Sequence, residues 1–292
     1  MVPIDQFFLD PRVVRRSFDA ASTTFDASAA VHAEIRARLL ERLDVVRIEP
    51  DVVVDLGAGS GHASRALRDR YSSARVIAAD LSPRMLLQAR KRQRLFHRFE
   101  RMATDAQQLA LKNGAVDLVF SNLMLQWCSD PDRVFAEIRR VLKTNGLLTF
   151  TTLGPDSLRE LRSAWSSVDG YTHVHRFLDM HDLGDALLRA GFAEPVMDTE
   201  RLTITYANLD SLLLELRGSG SQAAAQGRRR GLTGRTAMER VRGAYEALRR
   251  DDVLPVTLEV VYGHAWTIDR EPRRSARGEV RIPVGKLARR RV

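Results

Sequence analysis

Cysteine is nearly absent. Cys128 is the only one among 292 residues, so no disulfide can form within the chain and a reducing compartment is the expected setting. Long apolar runs are missing too, and nothing approaches the ~20 residues needed to cross a bilayer. The opening Met1–Asp10 carries acids inside its only apolar patch, which fits neither a signal nor a transit peptide. A cytoplasmic, monomeric protein with no membrane partner is expected. Paired carboxylates, clusters with metal-ligand spacing and Ser/His/Asp arrangements do not stand out, so no metal site is expected. What remains is a chain with 44% hydrophobic residues and a net charge of +9. That composition suits one large domain with a sizeable core. The charge favours an acidic partner, and runs such as Arg228–Arg230, Arg273–Arg274 and Arg289–Arg291 also read as solvated faces.

The chain is organised around Asp51-Val-Val-Val-Asp-Leu-Gly-Ala-Gly-Ser-Gly61. Val52–Leu56 is apolar without alternation up to Asp55, as in a strand buried on both faces of a parallel sheet. Gly57, Gly59 and Gly61 then allow a tight turn and close approach to a ligand, with a helix starting near Ser60. A second strand, Ala74–Asp80, ends in a carboxylate placed to accept hydrogen bonds from ribose hydroxyls. The spacing G-x-G-x-G differs from the G-x-G-x-x-G of dinucleotide sites. Asp55 repels a phosphate and welcomes an amine or sulfonium.

Elements alternate beyond this point, with helix 60–71, strand 75–80, helix 83–93 capped by Ser82 with Pro83 in its first turn, and a short strand at 99–102. Asp105 follows, either a helix N-cap or a partner for an adenine amino group. A strand at 115–120, helix 131–142 ended by Asn145-Gly146, and a strand at 147–152 complete a β/α alternation that predicts a doubly wound, mostly parallel α/β sheet. Before it, residues 13–43 read as helical (residues 1–45 being a lid over a ligand or packing on the sheet edge), and the main domain runs over 46–268. Later come helix 156–168, a polar loop at 169–177, helix 180–190, strand 201–206, helices 208–217 and 235–250, and a last strand at 256–266. The inserted helices, about 207–250, predict a cap over the ligand edge. Residues 269–292 form a basic tail with one edge strand expected at Glu279–Ile282.

Asp-Leu-Gly-Ala-Gly-Ser-Gly with the later Ala-Asp-Leu-Ser resembles the binding loop of class I S-adenosylmethionine-dependent methyltransferases. Ser121-Asn-Leu-Met-Leu-Gln-Trp-Cys128 is similar to the S-N-L-x-x-Q-W-C signature of the malonyl-[acyl-carrier-protein] O-methyltransferases of biotin synthesis. Further matches include Phe18–Ala21, Phe150–Leu153, Ser157–Leu161 and Arg176-Phe177, so the resemblance covers roughly residues 12–266. It implies a seven-stranded Rossmann-like sheet and S-adenosylmethionine as cofactor, held by Asp55, Gly57, Ala58, Gly59, Gly61, Asp80, Leu81, Asp105, Ala106 and Asn122. It also implies methyl transfer to the free carboxylate of a malonyl group on an acidic acyl carrier protein. Arg176, then His173, are the candidates to hold that carboxylate, although Arg176 also reads as a surface salt bridge. Gln126 and Trp127 shape the pocket, and Trp127 equally suits a core position. Arg217, Arg228–Arg230 and Arg235 are candidates for docking the carrier. The family usually has tyrosine where this chain has Phe25.

Two other groups share features. Asp182–Phe192 and Val260–Trp266 resemble the complex I assembly factors linked to arginine hydroxylation, but Gln126-Trp127-Cys128 favours the biotin group, since the assembly factors tend to have His-Trp there. An RNA methyltransferase is prompted by the positive charge. It lacks support from the fourth strand, which does not continue into the Asn/Asp-Pro-Pro-aromatic element that holds a base nitrogen. A non-enzymatic relic fits poorly with intact Asp55, Asp80 and glycines.

Overall fold

The computed structural model describes residues 9–222, 224, 225, 227, 231 and 233–268. The Arg228–Arg230 run, the basic tail and the expected Glu279–Ile282 strand lie outside the described residues.

Alternation of apolar strands with amphipathic helices produces one seven-stranded sheet in the order β3-β2-β1-β4-β5-β7-β6. Its strands are β1 (Val52–Leu56), β2 (Arg75–Asp80), β3 (Glu100–Ala103), β4 (Val116–Asn122), β5 (Leu142–Leu153), β6 (Ala193–Tyr206) and β7 (Leu254–Trp266). The β1–β5 pairs are parallel, and β7 runs antiparallel between β5 and β6. Strand order reverses between β1 and β4, so a crevice opens beyond their carboxyl ends.

The helices are α1 (Pro11–Ala21), α2 (Ala30–Arg42), α3 (His62–Arg70), α4 (Pro83–Lys91), α5 (Pro131–Val141), α6 (Arg159–Ser166), α7 (Met180–Arg189), α8 (Leu209–Gly218) and α9 (Arg235–Glu246). Val134, Phe135 and Ile138 of α5 and Leu183 and Leu187 of α7 pack on one sheet face. Ile35 and Leu39 of α2, Leu67 of α3 and Ala89 of α4 cover the other. Burying each larger side chain contributes about 1.5–3 kcal/mol. A third cluster joins α6, α8 and α9 to the outer parts of β6 and β7 through Trp165, Leu212, Tyr245 and Val256.

Several expected boundaries move. The helical run at 13–43 is two helices, because Ser22 and Thr24 turn their hydroxyls back onto the Asp19 and Ala21 carbonyls and a 3-10 turn over Phe25–Ser28 follows; such local hydrogen bonds compete with helix continuation. Leu142 opens β5 rather than closing α5, and residues 143–146 form an irregularity there, with Asn145 at φ +61°. Strand β6 starts eight residues earlier than the alternation at 201 suggests. Glu194 at φ +49° and a register shift before Val196 hide its beginning in the sequence.

Ser82 caps α4 by accepting from the Met85 N–H at 3.1 Å, with Pro83 behind it. Gly61, immediately before α3, has φ +83°, and a Cβ there would stand 2.7 Å from the Ala89 Cβ of α4. Gly114 has φ +58° with open space around it. Gly114→Ala should therefore cost only the left-handed strain, about 1 kcal/mol, whereas Gly61→Ala adds a backbone-level clash and should cost about 3 kcal/mol. Equal destabilisation of the two variants in denaturant melts would contradict the α3–α4 packing described.

Candidate active site

The turn after β1 is fixed by backbone geometry. The N–H groups of Gly57 and Ala58 both donate to the Ala79 carbonyl, at 2.8 and 3.0 Å. Gly59 N–H donates to Asp80 Oδ2 at 2.8 Å, and Ser82 N–H to Asp80 Oδ1 at 2.7 Å. One carboxylate thus clamps the glycine turn to the start of α4. Each oxygen keeps a free lone pair for a ligand hydroxyl. Burial pushes Asp80 up to about 6, against the opposing pull of those N–H groups.

Asp55 is 1% exposed and accepts from the Ser64 hydroxyl of α3. Burial pushes it up to about 7 despite that hydrogen bond. It borders a recess of about 360 Å³ together with Arg36, Ala58, Ser60 and His62. The Arg36 guanidinium, reaching in from α2, has its pKa lowered by burial while Asp55 pulls the other way.

The crevice beyond β1 and β4 is a cavity of about 810 Å³, open to solvent and within the range of small-molecule sites. Gly57, Gly59, Asp80, Leu81, Asp105, Ala106, Asn122 and Trp127 line it. Gly61 lines neither this cavity nor the recess and serves the helix packing instead. Asp105 caps no helix: it accepts from the Gln107 N–H at 2.9 Å and closes a turn, so its carboxylate faces the cavity. From above, Val14 and Phe18 of α1 and Phe25 of the 3-10 turn form the roof. Asp19 receives the Ser82 hydroxyl at 2.6 Å, and Asp26 receives the Ser60 hydroxyl at 2.6 Å, which tie this roof to the glycine turn and α4.

The donor set suits S-adenosylmethionine. Its lining places Asp80 and Asp105 among apolar side chains that include Leu81, Met85 and Ala106, with Thr104, Gln107 and Asn122 as further polar groups. The described lining of this cavity contains no lysine or arginine to attract a phosphate.

A second cavity, about 860 Å³, adjoins the first, and His32, Leu123 and Trp127 line both. Its remaining wall is mostly apolar, with Leu153, Ile204 and Val256 from the sheet, Phe177 from the loop before α7 and Leu212 from the cap. Rings run from the first cavity into it: Phe18 meets Trp127 edge-on at 5.2 Å, Trp127 meets His175 at 5.1 Å, and His175 meets Phe177 at 4.8 Å. Gln126 lines this cavity, but its amide donates to the Leu123 carbonyl at 2.7 Å and accepts from Thr152 at 3.2 Å. His173 also lines it, stacked 3.5 Å from Trp165 and bonded to Asp169 at 2.8 Å. Arg176 is exposed and borders a separate cleft behind Gln126, with Cys128 and Thr152. The structure therefore brings Gln126, Trp127 and His173 together and leaves Arg176 apart.

His32, Arg36 and His175 were not singled out in the sequence. The first two lie four residues apart on α2, beside the buried Ile35 and Leu39, and that shared face was the available signal. Nothing local marked His175.

Comparison with known proteins agrees with this geometry. A methyltransferase domain family matches residues 54–150. The malonyl-[acyl-carrier protein] O-methyltransferase of Laribacter hongkongensis is 48% identical over 278 residues, covering 92% of this chain and 94% of its own. That of Halorhodospira halophila is 44% identical over 294 residues, with both chains covered completely. Among solved structures, a putative methyltransferase of Bacillus halodurans aligns with a TM-score of 0.57 at 17% identity, over 80% of this chain and 98% of its own. A Haemonchus contortus phosphoethanolamine N-methyltransferase in complex with S-adenosyl-L-methionine aligns at 0.53 and 18% identity, over 86% of this chain and 57% of its own. The chain belongs to the malonyl-[acyl-carrier protein] O-methyltransferase family.

Proposed function

We propose that the chain methylates the free carboxylate of a malonyl thioester on an acyl carrier protein, giving the methyl ester that enters biotin synthesis. The observation that carries this reading is the shared wall at His32, Leu123 and Trp127, where a carboxylate-lined cavity meets a large apolar one. The names of the full-length relatives support the choice of acceptor.

Asp80 offers its remaining lone pairs to the ribose hydroxyls, Asp105 with Leu81 and Ala106 takes the adenine, and the Asp55–Arg36 recess takes the amino-acid end. S-adenosylmethionine supplies a methyl group on a sulfonium, so the leaving sulfur takes the bond's electron pair. The acceptor carboxylate is already ionised at neutral pH, so no general base is required. The residues that matter bring oxygen and carbon into line and keep water away. Trp127, packed between Phe18 and His175, does the first, and the apolar wall does the second. An elongated acyl-carrier arm ending in a single carboxylate fits the mostly apolar 860 Å³ cavity better than a nucleic acid does.

Methyl-labelled S-adenosylmethionine incubated with malonyl-carrier protein should give base-labile label on the thioester, with little on bulk tRNA. Cofactor binding without transfer to any malonyl thioester would overturn the reading. Cofactor affinity should also depend on pH. A cationic ligand favours ionised Asp55, so its binding releases a proton, and affinity falls as pH drops from about 7 to 6, where Asp80 begins to protonate as well. Calorimetric titrations should show a loss approaching tenfold over that unit, and Asp55→Asn should flatten it.

The carrier protein is acidic, and Arg217 is exposed immediately after Glu215 and Leu216 of the cavity wall. Arg235 is exposed at the start of α9. The double variant Arg217→Glu/Arg235→Glu should raise KM several-fold for malonyl-carrier protein and leave KM for a malonyl-pantetheine thioester unchanged. Equal effects on both acceptors would remove these residues from docking.

A further inference from the structure

The acceptor cavity has to hold a carboxylate, yet among the described residues no lysine or arginine lines it. Its candidates for positive charge are histidines. His173 is engaged by Trp165 and Asp169. His32 and His175 differ: Nδ1 of His32 and Nε2 of His175 are buried with no hydrogen-bond partner. His32 stands in the wall shared by both cavities, and His175, 6% exposed, packs on Trp127 of that same wall.

Resting on the carboxylate-methylation reading, we infer that His32 and His175 form an inducible cation site, taking up a proton when the acceptor carboxylate enters and returning it once the carboxylate has become an ester. Both imidazoles are neutral without acceptor, because burial pushes each down to about 4. The charges around them reinforce this. Arg36 on α2 faces His32, with Asp55 of β1 beyond it. Arg162 of α6 faces His175, and Arg176 adjoins it in sequence; the Gln126 backbone alone favours its protonated form. Across the cavity, Glu215 of α8 is engaged with Tyr206 of β6.

An entering carboxylate reverses that balance, since an anion within a few ångströms raises a buried imidazole pKa by several units. Methylation forms the oxygen–carbon bond and breaks the carbon–sulfur bond, which removes the negative charge. The imidazolium then loses its partner and releases its proton to solvent, so the overall reaction consumes none. A permanent guanidinium in the same place would keep holding the carboxylate and blunt its attack.

The test is calorimetric titration of S-adenosylhomocysteine-loaded protein with malonyl-carrier protein near neutral pH, in phosphate and in Tris, whose ionisation enthalpies differ. Uptake of about one proton per acceptor is expected, with Kd falling about tenfold for each unit by which pH is lowered beneath the raised pKa of the complex. A carrier bearing the neutral malonamide analogue should bind with no uptake. His32→Gln and His175→Gln should each reduce uptake, and together abolish it. Methyl transfer by the unaltered protein with no proton uptake on acceptor binding would overturn the inference while leaving the proposed function intact. Failure of transfer itself would count against that function instead. Unchanged uptake in the double variant would also overturn the inference, and the measurement on the unaltered chain stands even if a variant folds poorly.

Discussion

Both cavities depend on the turn that follows β4. Leu123 sits there at φ +52°, a strained value for a leucine, and is held by its N–H donating to the Thr151 carbonyl at 3.1 Å and to the Thr151 hydroxyl at 3.0 Å. Gln126 closes the turn from inside through the Leu123 carbonyl. Asn122 reaches from the end of β4 to the His32 carbonyl at 3.2 Å and accepts from Thr151 at 2.9 Å, which binds α2 to the same point. A few hydrogen bonds therefore fix the backbone around three residues, His32, Leu123 and Trp127, that both cavities share. An ångström of slack there would misalign two ligands at once.

The electrostatic design divides along that wall. On the cofactor side, burial shifts Asp55 and Asp80 upward, and a cation completes the ionisation of Asp55 near neutral pH. On the acceptor side, burial shifts the His32 and His175 imidazoles downward, and the described wall has no lysine or arginine. The chain's net charge of +9 plays no part in either cavity's described lining; its arginines stand outside.

How much of this was legible depended on range. The parallel strands β1, β2 and β4 announced themselves because they are largely buried on both faces, and β1 and β2 fall where the apolar runs at 52–56 and 75–80 put them. Asp80 and the glycine turn were readable because backbone geometry fixes their roles within a few residues. The edge strand β6 was half hidden, since an exposed, bulged strand carries a weak alternation. Arg176 drew attention as the nearest cation to a matching motif, yet sequence neighbourhood says nothing about which side of Gln126 a side chain takes. His175 is one position away and lies inside. That difference arises from packing on Trp127 and Phe177, from elements joined only in the folded chain.

The cap joins the sheet at a single strand pair, while Thr24 reaches it from the roof through the Gly218 carbonyl. Tyr206 at the end of β6 lies opposite Leu254 at the start of β7, so everything between them leaves and re-enters the sheet at adjacent positions. A segment anchored in this way can be lengthened, shortened or exchanged at an entropic cost that grows only slowly with its length, without disturbing the register of any other strand. The family-matched stretch, residues 54–150, ends before this segment begins. The cap supplies Leu212, Glu215, Leu216, Ser219 and Ser221 to the acceptor cavity's wall, so that part of the wall can change while the sheet and the cofactor half stay as they are.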